Sequence, residues 1–228
     1  MINPFGLVST IVSYKIFEKA KKLPVIGKIP PLLTSGIALI FMLKNFGISY
    51  SEYCETASYL TFLLIPATVS LGYPLYKNFD LLKKNKRIIY PAFAIAVVCA
   101  LLTTLIIGIA CRTELKIILS MLPKSVTAPI ATEISKRLNA VPELTVCIVA
   151  LTGVFGGLAG HKILKLIKVK QDIAIGLAIG AASHVIGTSK CIETGRQKQI
   201  VMSTLSLITV GIITAVITPF IAFLIKFL

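Results

Sequence analysis

The amino-acid sequence predicts an all-α fold: a polytopic membrane helical bundle of about six spanning helices plus two broken or re-entrant segments. Three observations carry this. Of 228 residues, 56% are hydrophobic and only 14% charged, against about 25% charged in soluble domains. Apolar runs at 57–76, 88–111, 142–160 and 200–225 each approach or exceed the roughly 20 residues that cross a bilayer as helix. The basic residues fall between such runs, at 15–28, 77–87, 162–170 and 190–198.

Taken in order, the first helix covers about 5–20 and ends in the basic stretch Lys19–Lys28. It lacks the basic leader and small-x-small site of a cleavable signal, so it reads as a first membrane helix. Pro30–Pro31 open a second helix to about Phe46, and 47–56 is a loop holding Glu52 and Glu55. A third helix, 57–79, is interrupted at Pro66 and again at Gly72–Pro74, and the basic loop 83–87 follows. The fourth, 88–111, is apolar until Arg112. Residues 114–138 are too polar and too broken for a lipid-facing helix. Helix 142–160 is rich in glycine, which lets helices approach closely in lipid. A second polar, interrupted stretch occupies 171–192, and the chain closes with an apolar helix from about 200 to 225. We treat 1–228 as a single membrane domain.

The net charge of +15 does not mark a nucleic-acid partner, because the lysines and arginines lie between apolar segments rather than in one arm or face. Cytoplasmic loops carry such an excess, partly to meet anionic lipid. If the loops 18–30 and 77–87 are cytoplasmic, 162–170 joins them only when 114–138 folds back as a re-entrant hairpin. Folding 171–192 back keeps Lys190, Arg196 and Lys198 on that side too, so the two hairpins enter from opposite faces. The five cysteines, Cys54, Cys99, Cys111, Cys147 and Cys191, have no CxxC spacing and no histidine at ligand distance, and read as packing residues.

Non-helical backbone survives at membrane depth only where it is buried in protein or lines a wet cavity. Two such breaks suggest a solute path of the secondary-transporter kind. In the first, Pro123 interrupts, Ser125 and Thr127 are candidate N-caps, and Pro129 suits a first helical turn. In the second, Gly187 permits a turn, and Thr188 or Ser189 caps a half-helix carrying Lys190. Half-helix N-termini attract carboxylates, and Lys124, Lys190 and His184 add charge of the same sign. The candidate substrate-binding residues are therefore Lys124, Ser125, Thr127, Ser183, His184, Thr188, Ser189 and Lys190. Glu133 and Glu193 are candidates for a charge relay. Plainer readings stand beside these: kinked helices, snorkelling lysines, and His161 as a helix-end residue. Thr68, Ser70 and Tyr73 form either a third wall of the path or part of a kinked helix.

The segments Pro66–Tyr76, Leu122–Ala131 and Ala182–Thr188, with Pro31–Ser35 and Gly47–Tyr50, resemble the signature blocks of the LrgB/CidB family. The resemblance covers nearly the whole chain and extends to the plastidial glycolate/glycerate translocator. It implies a multi-pass protein of the bacterial plasma (inner) membrane, working with a separate small membrane protein of the LrgA/CidA type. It also implies one of two activities. The first is transport of small monocarboxylates such as pyruvate or glycolate. The second is a holin/antiholin-like regulation of murein hydrolase export and cell lysis. Expected partners are a small organic anion, the LrgA/CidA-like protein and membrane lipid, with a homo-oligomer left open. No cofactor, metal or catalytic residue is expected, since two histidines and few buried acids leave no nucleophile–base pair for an enzyme.

Overall fold

The computed structural model describes residues 4–20, 29–70 and 72–225. Among them are twelve α-helices and no strand. The chain divides into two compact units, Met1–Val69 and Ser70–Leu228. The predicted basic residues at 21–28, and Leu71, lie outside the described residues, as does the side chain of Thr68.

In the first unit, α1 (Phe5–Ala20) packs on α2 (Pro31–Asn45), which starts with proline in its first turn, where no amide partner is lost. Gly47 (φ 66°) then turns the chain. The Ser49 hydroxyl accepts from the Glu52 amide at 3.2 Å and caps α3 (Tyr50–Thr56), so the loop expected at 47–56 is largely helical. α3 bends 118° from α2. α4 (Ser58–Ser70) carries Pro66 within it unbroken, and α5 (Gly72–Lys77) follows. The predicted helix 57–79 is thus helical over 58–70 and 72–77, and Pro66 does not break it.

α2, with 15 residues, reaches about 22 Å, short of the roughly 30 Å hydrocarbon core, and the 16 described residues of α1 span about 24 Å. Among the described residues four helices, Lys86–Ala110, Pro142–Leu166, Asp172–Glu193 and Gln197–Leu224, are long and apolar enough to cross, or five if the bent α2–α3 pair counts as one. That is fewer than the six predicted.

In the second unit, the expected basic loop 83–87 is instead the end of α6 (Phe79–Lys84) and the start of α7 (Lys86–Ala110), with Asn85 between them. α7 buries one stripe, Ile89, Phe93, Val97, Leu101, Thr104 and Gly108, at three- and four-residue spacing. Its other face exposes Ile95, Ile106 and Ile109, each more than 60% open, as a lipid-facing helix must. The core joins this stripe to Leu122, Val126, Ala131, Ile134, Val149, Met202 and Leu205.

Helices α8 (Leu115–Met121) and α9 (Ala128–Arg137) flank the first break. A straight run would put Ser120 and Ser135 about 22 Å apart. Both instead touch Thr145, whose Oγ1 lies 2.9 Å from the Ser120 carbonyl and 2.8 Å from the Ser135 hydroxyl. The chain therefore doubles back across 122–127.

The same happens in α11 (Asp172–Glu193), although its hydrogen bonding reads as one helix. His184 has φ 41° and ψ −133°, a conformation nearly reserved for glycine and costing about 1–3 kcal/mol. A straight helix would separate residues 179 and 187 by about 12 Å. Yet a Cβ placed on Gly187 would sit 3.0 Å from the Ile179 carbonyl oxygen. At the base, Gln199 lies 2.7 Å from Asp172 and 3.4 Å from Thr194, joining the two ends of the segment. The outbound limb, 172–183, runs parallel to α12 (Gln197–Ile225), with Gly176 against Gln199 and Gly180 against Ser203. The return limb, 185–193, comes back, so α11, long and apolar enough to cross if straight, is instead a re-entrant hairpin.

α7 and α10 (Pro142–Leu166) each have 25 residues, and each is followed by a fold-back segment of similar length. Because each segment returns to the side it left, α7 and α10 run in opposite directions. Residues 86–137 and 142–193 thus form an inverted repeat of span plus hairpin, the plan of many secondary transporters. The start of α7, the end of α10 and the start of α12 share one face, which carries Lys86, Arg87, Lys162, Lys165, Lys168, Lys170 and Lys198.

Candidate functional site

Both hairpin tips reach mid-depth. Lys124 lies against residues 100 and 104, near the middle of α7. His184 lies against Val149 and Gly153, near the middle of α10. The His184 Nε2 is 2.9 Å from the Val149 carbonyl oxygen, which can only accept, so that nitrogen carries a proton. Glycine makes room for this tip. A Cβ on Gly153 would lie 2.5 Å from the His184 ring, and one on Gly156 would collide with the Ser183 hydroxyl.

Between α7, α10 and the tips lies a cavity of about 710 Å³. Lys124 and Ser125 line it from the first hairpin, and Ala181, Ala182 and Ser183 from the second. The Lys124 ammonium donates to the Ala100 carbonyl at 2.8 Å and to the Thr104 hydroxyl, leaving its third donor without a partner among the described residues. No carboxylate among the described residues lies within ion-pair distance of it. The hydroxyls of Ser125 and Ser183, both buried, also lack partners among the described residues. Thr103 and Thr152 also line it, and the rest is apolar: Ala92, Ala96, Leu164 and Leu177 run toward the basic face, with Ile95 and Ile163 at the exposed, lipid-facing edge.

Of the sequence-predicted residues, Lys124, Ser125 and Ser183 share this cavity. Thr127 is the N-cap residue of α9, yet its hydroxyl caps nothing and is buried without a partner among the described residues. Thr188 is likewise buried and unpartnered, and it sits inside the return limb rather than at an N-cap. Ser189, also expected as a cap, donates instead to the Ile186 carbonyl at 2.7 Å. The reversal falls at His184 rather than Gly187, which moves the helix start away from both residues. Lys190 does not line the cavity; it pairs at 2.6 Å with Glu193, and Glu133 pairs with Arg137 on an exposed face. His161, read as a helix-end residue, lies 3.3 Å from the buried Gln199. Of the five cysteines expected as packing residues, Cys191 is buried and the other four are exposed.

Two features escaped sequence reasoning. Thr103-Thr104 in the run 88–111 was the signal for a polar partner on α7. The fully buried Ser120–Ser135–Thr145 hydroxyl cluster, which fastens the first hairpin to α10, had no local signature. Among the described residues no three His, Cys, Asp or Glu gather as a metal site.

Paired re-entrant hairpins whose tips line one cavity within an apolar helical unit define a multi-pass membrane protein. The LrgB-like family model matches residues 10–224, and the chain belongs to that family. It is 31% identical over 218 residues to the uncharacterized protein YxaC of Bacillus subtilis (strain 168), covering 96% of this chain and 94% of that one. It is 30% identical over 213 residues to the holin-like protein CidB of Staphylococcus aureus, covering 93% of each. It is 31% identical over 219 residues to the antiholin-like protein LrgB of Bacillus cereus (strain B4264), covering 94% of each. No solved structure matches the chain.

Proposed function

We propose that this protein carries small monocarboxylates of the pyruvate or glycolate kind across the bacterial plasma membrane, with an LrgA/CidA-like small membrane protein as its partner. The observation behind this reading is the Lys124 ammonium, which has no acid partner among the described residues and sits in a cavity lined by both hairpin tips. An unpaired cation in an apolar setting is costly and calls for an anion. A carboxylate there would take the free donor of Lys124 and the unused hydroxyls of Ser125 and Ser183. The inverted repeat supports alternating access, with each hairpin rocking against α7 or α10.

The relatives' names support a second reading, a holin/antiholin-like regulator of murein hydrolase export and cell lysis. Such a regulator forms or blocks membrane lesions and has no need of an anion site. One experiment separates the two. Proteoliposomes with and without the LrgA/CidA-like partner are assayed for uptake of labelled pyruvate, glycolate and lactate, and for release of a trapped dye. Saturable uptake without dye release supports the carrier; dye release without saturable uptake supports the lesion regulator.

A further inference from the structure

We infer that Thr104 of α7 is a positioning residue: from behind the Lys124 ammonium, it keeps the free N–H of that group aimed at the substrate carboxylate. This rests on reading Lys124 as the anion-binding group, and adds the residue that orients it.

Thr104 differs from its surroundings. It is 4% exposed and belongs to the buried stripe of α7, whose other members are Ile89, Phe93, Val97, Leu101 and Gly108. Its hydroxyl donates to the Ala100 carbonyl at 2.8 Å, the backward bond that threonine commonly makes within a helix. Thr103 makes the same bond to the Cys99 carbonyl at an exposed position, so that bond gives no reason to bury Thr104. It does use the one proton of the Thr104 hydroxyl. The oxygen therefore faces Lys124 with lone pairs, which an ammonium, able only to donate, requires. Ala100 lines the cavity and Thr104 does not, so the threonine touches the ammonium and not the anion.

Two anchors one helical turn apart set the direction of the third donor. The ammonium donates to the Ala100 carbonyl and to the Thr104 oxygen, and its three N–H bonds are held at fixed angles to one another. Held by Ala100 alone, it would turn about a single contact on a flexible four-carbon stem. Part of the anion's binding free energy would then go into ordering that side chain.

The test measures initial uptake of labelled pyruvate and glycolate by the full-length protein, with its LrgA/CidA-like partner, in proteoliposomes. Thr104→Val keeps the shape of the side chain and removes the acceptor. Its KM should rise about three- to tenfold at an unchanged maximal rate per inserted protein, and Thr104→Ser should restore the wild-type KM. In a Lys124→Gln background Thr104→Val should add no further rise, because no ammonium is left to aim. Thr104→Ala, which also lacks the hydroxyl, is read instead if the valine variant fails to insert. A KM unchanged by loss of the hydroxyl overturns the positioning role, as does an equal rise with and without Lys124. A lower KM also overturns it, by showing that Thr104 competes with the anion for the ammonium. A wild-type KM in Lys124→Gln itself overturns the anion site beneath it.

Discussion

Replacing Gly180 by alanine tests the fold-back of α11 through one methyl group. The new Cβ would lie 2.1 Å from the Ser203 carbonyl oxygen and 2.8 Å from the Ser203 Cα and carbonyl carbon. All three are backbone atoms of α12, so no side chain can rotate away. An ordinary carbon–oxygen contact needs about 3.3 Å, so the limb and α12 must part by about 1 Å. Overpacking of this kind costs about 1–3 kcal/mol, against a gain of up to about 1 kcal/mol from alanine's helix propensity. The net loss is about 1–2 kcal/mol, a fall of several degrees in unfolding midpoint. The control is Gly36→Ala in α2, where a Cβ meets nothing within 4 Å and stability should hold or rise. Thermal unfolding in mild detergent, followed by size-exclusion fluorescence, reads both. In a straight α11 running antiparallel to α12, Gly180 would not meet Ser203. A Gly180→Ala protein as stable as wild type would therefore refute the parallel packing and, with it, the hairpin.

Other outcomes follow from the same geometry. Single cysteines at 84, 165 and 198 should all resist an impermeant reagent applied from outside; labelling at 165 would dismantle the fold-back of 115–137. Thr145→Val leaves the Ser120 carbonyl and Ser135 hydroxyl short of a partner in a fully buried cluster, and should cost about 1–3 kcal/mol in the same unfolding assay. Lys190→Ala removes a partly exposed ion pair worth about 0–1 kcal/mol, so uptake should stay within about twofold of wild type.

Much of the architecture was legible because hydropathy and punctuation are local. The limits of α7 and the starts of α1 and α12 follow from apolar runs, and the first break from Pro123 and Pro129. The opposite entry of the two hairpins followed from the placement of lysines between runs. What was not legible depends on contacts made far along the chain. His184 takes a backbone conformation that propensity assigns to glycine, so Gly187 drew the prediction of a turn. With the turn misplaced by three residues, Thr188 and Ser189 were expected as caps when they lie within a helix. The lysines looked alike in sequence. Lys190 has Glu193 one turn away, whereas Lys124 finds its partners in Ala100 and Thr104, more than twenty residues back. Short polar segments at 50–56 and 79–84 read as loops because charge masked their helical capping and packing.

The central claim is that Lys124 holds the transported anion between the hairpin tips, and uptake by Lys124→Gln protein tests it most directly. Wild type, Lys124→Gln and the solvated-loop control Lys165→Ala are reconstituted at equal membrane-inserted amounts. Initial rates are measured over a range of labelled monocarboxylate. Removing a charge-assisted contact should cost about 1.5–3 kcal/mol, or roughly ten- to over a hundredfold in apparent affinity. Lys165→Ala should match wild type. Wild-type affinity in a normally inserted Lys124→Gln protein would contradict the account.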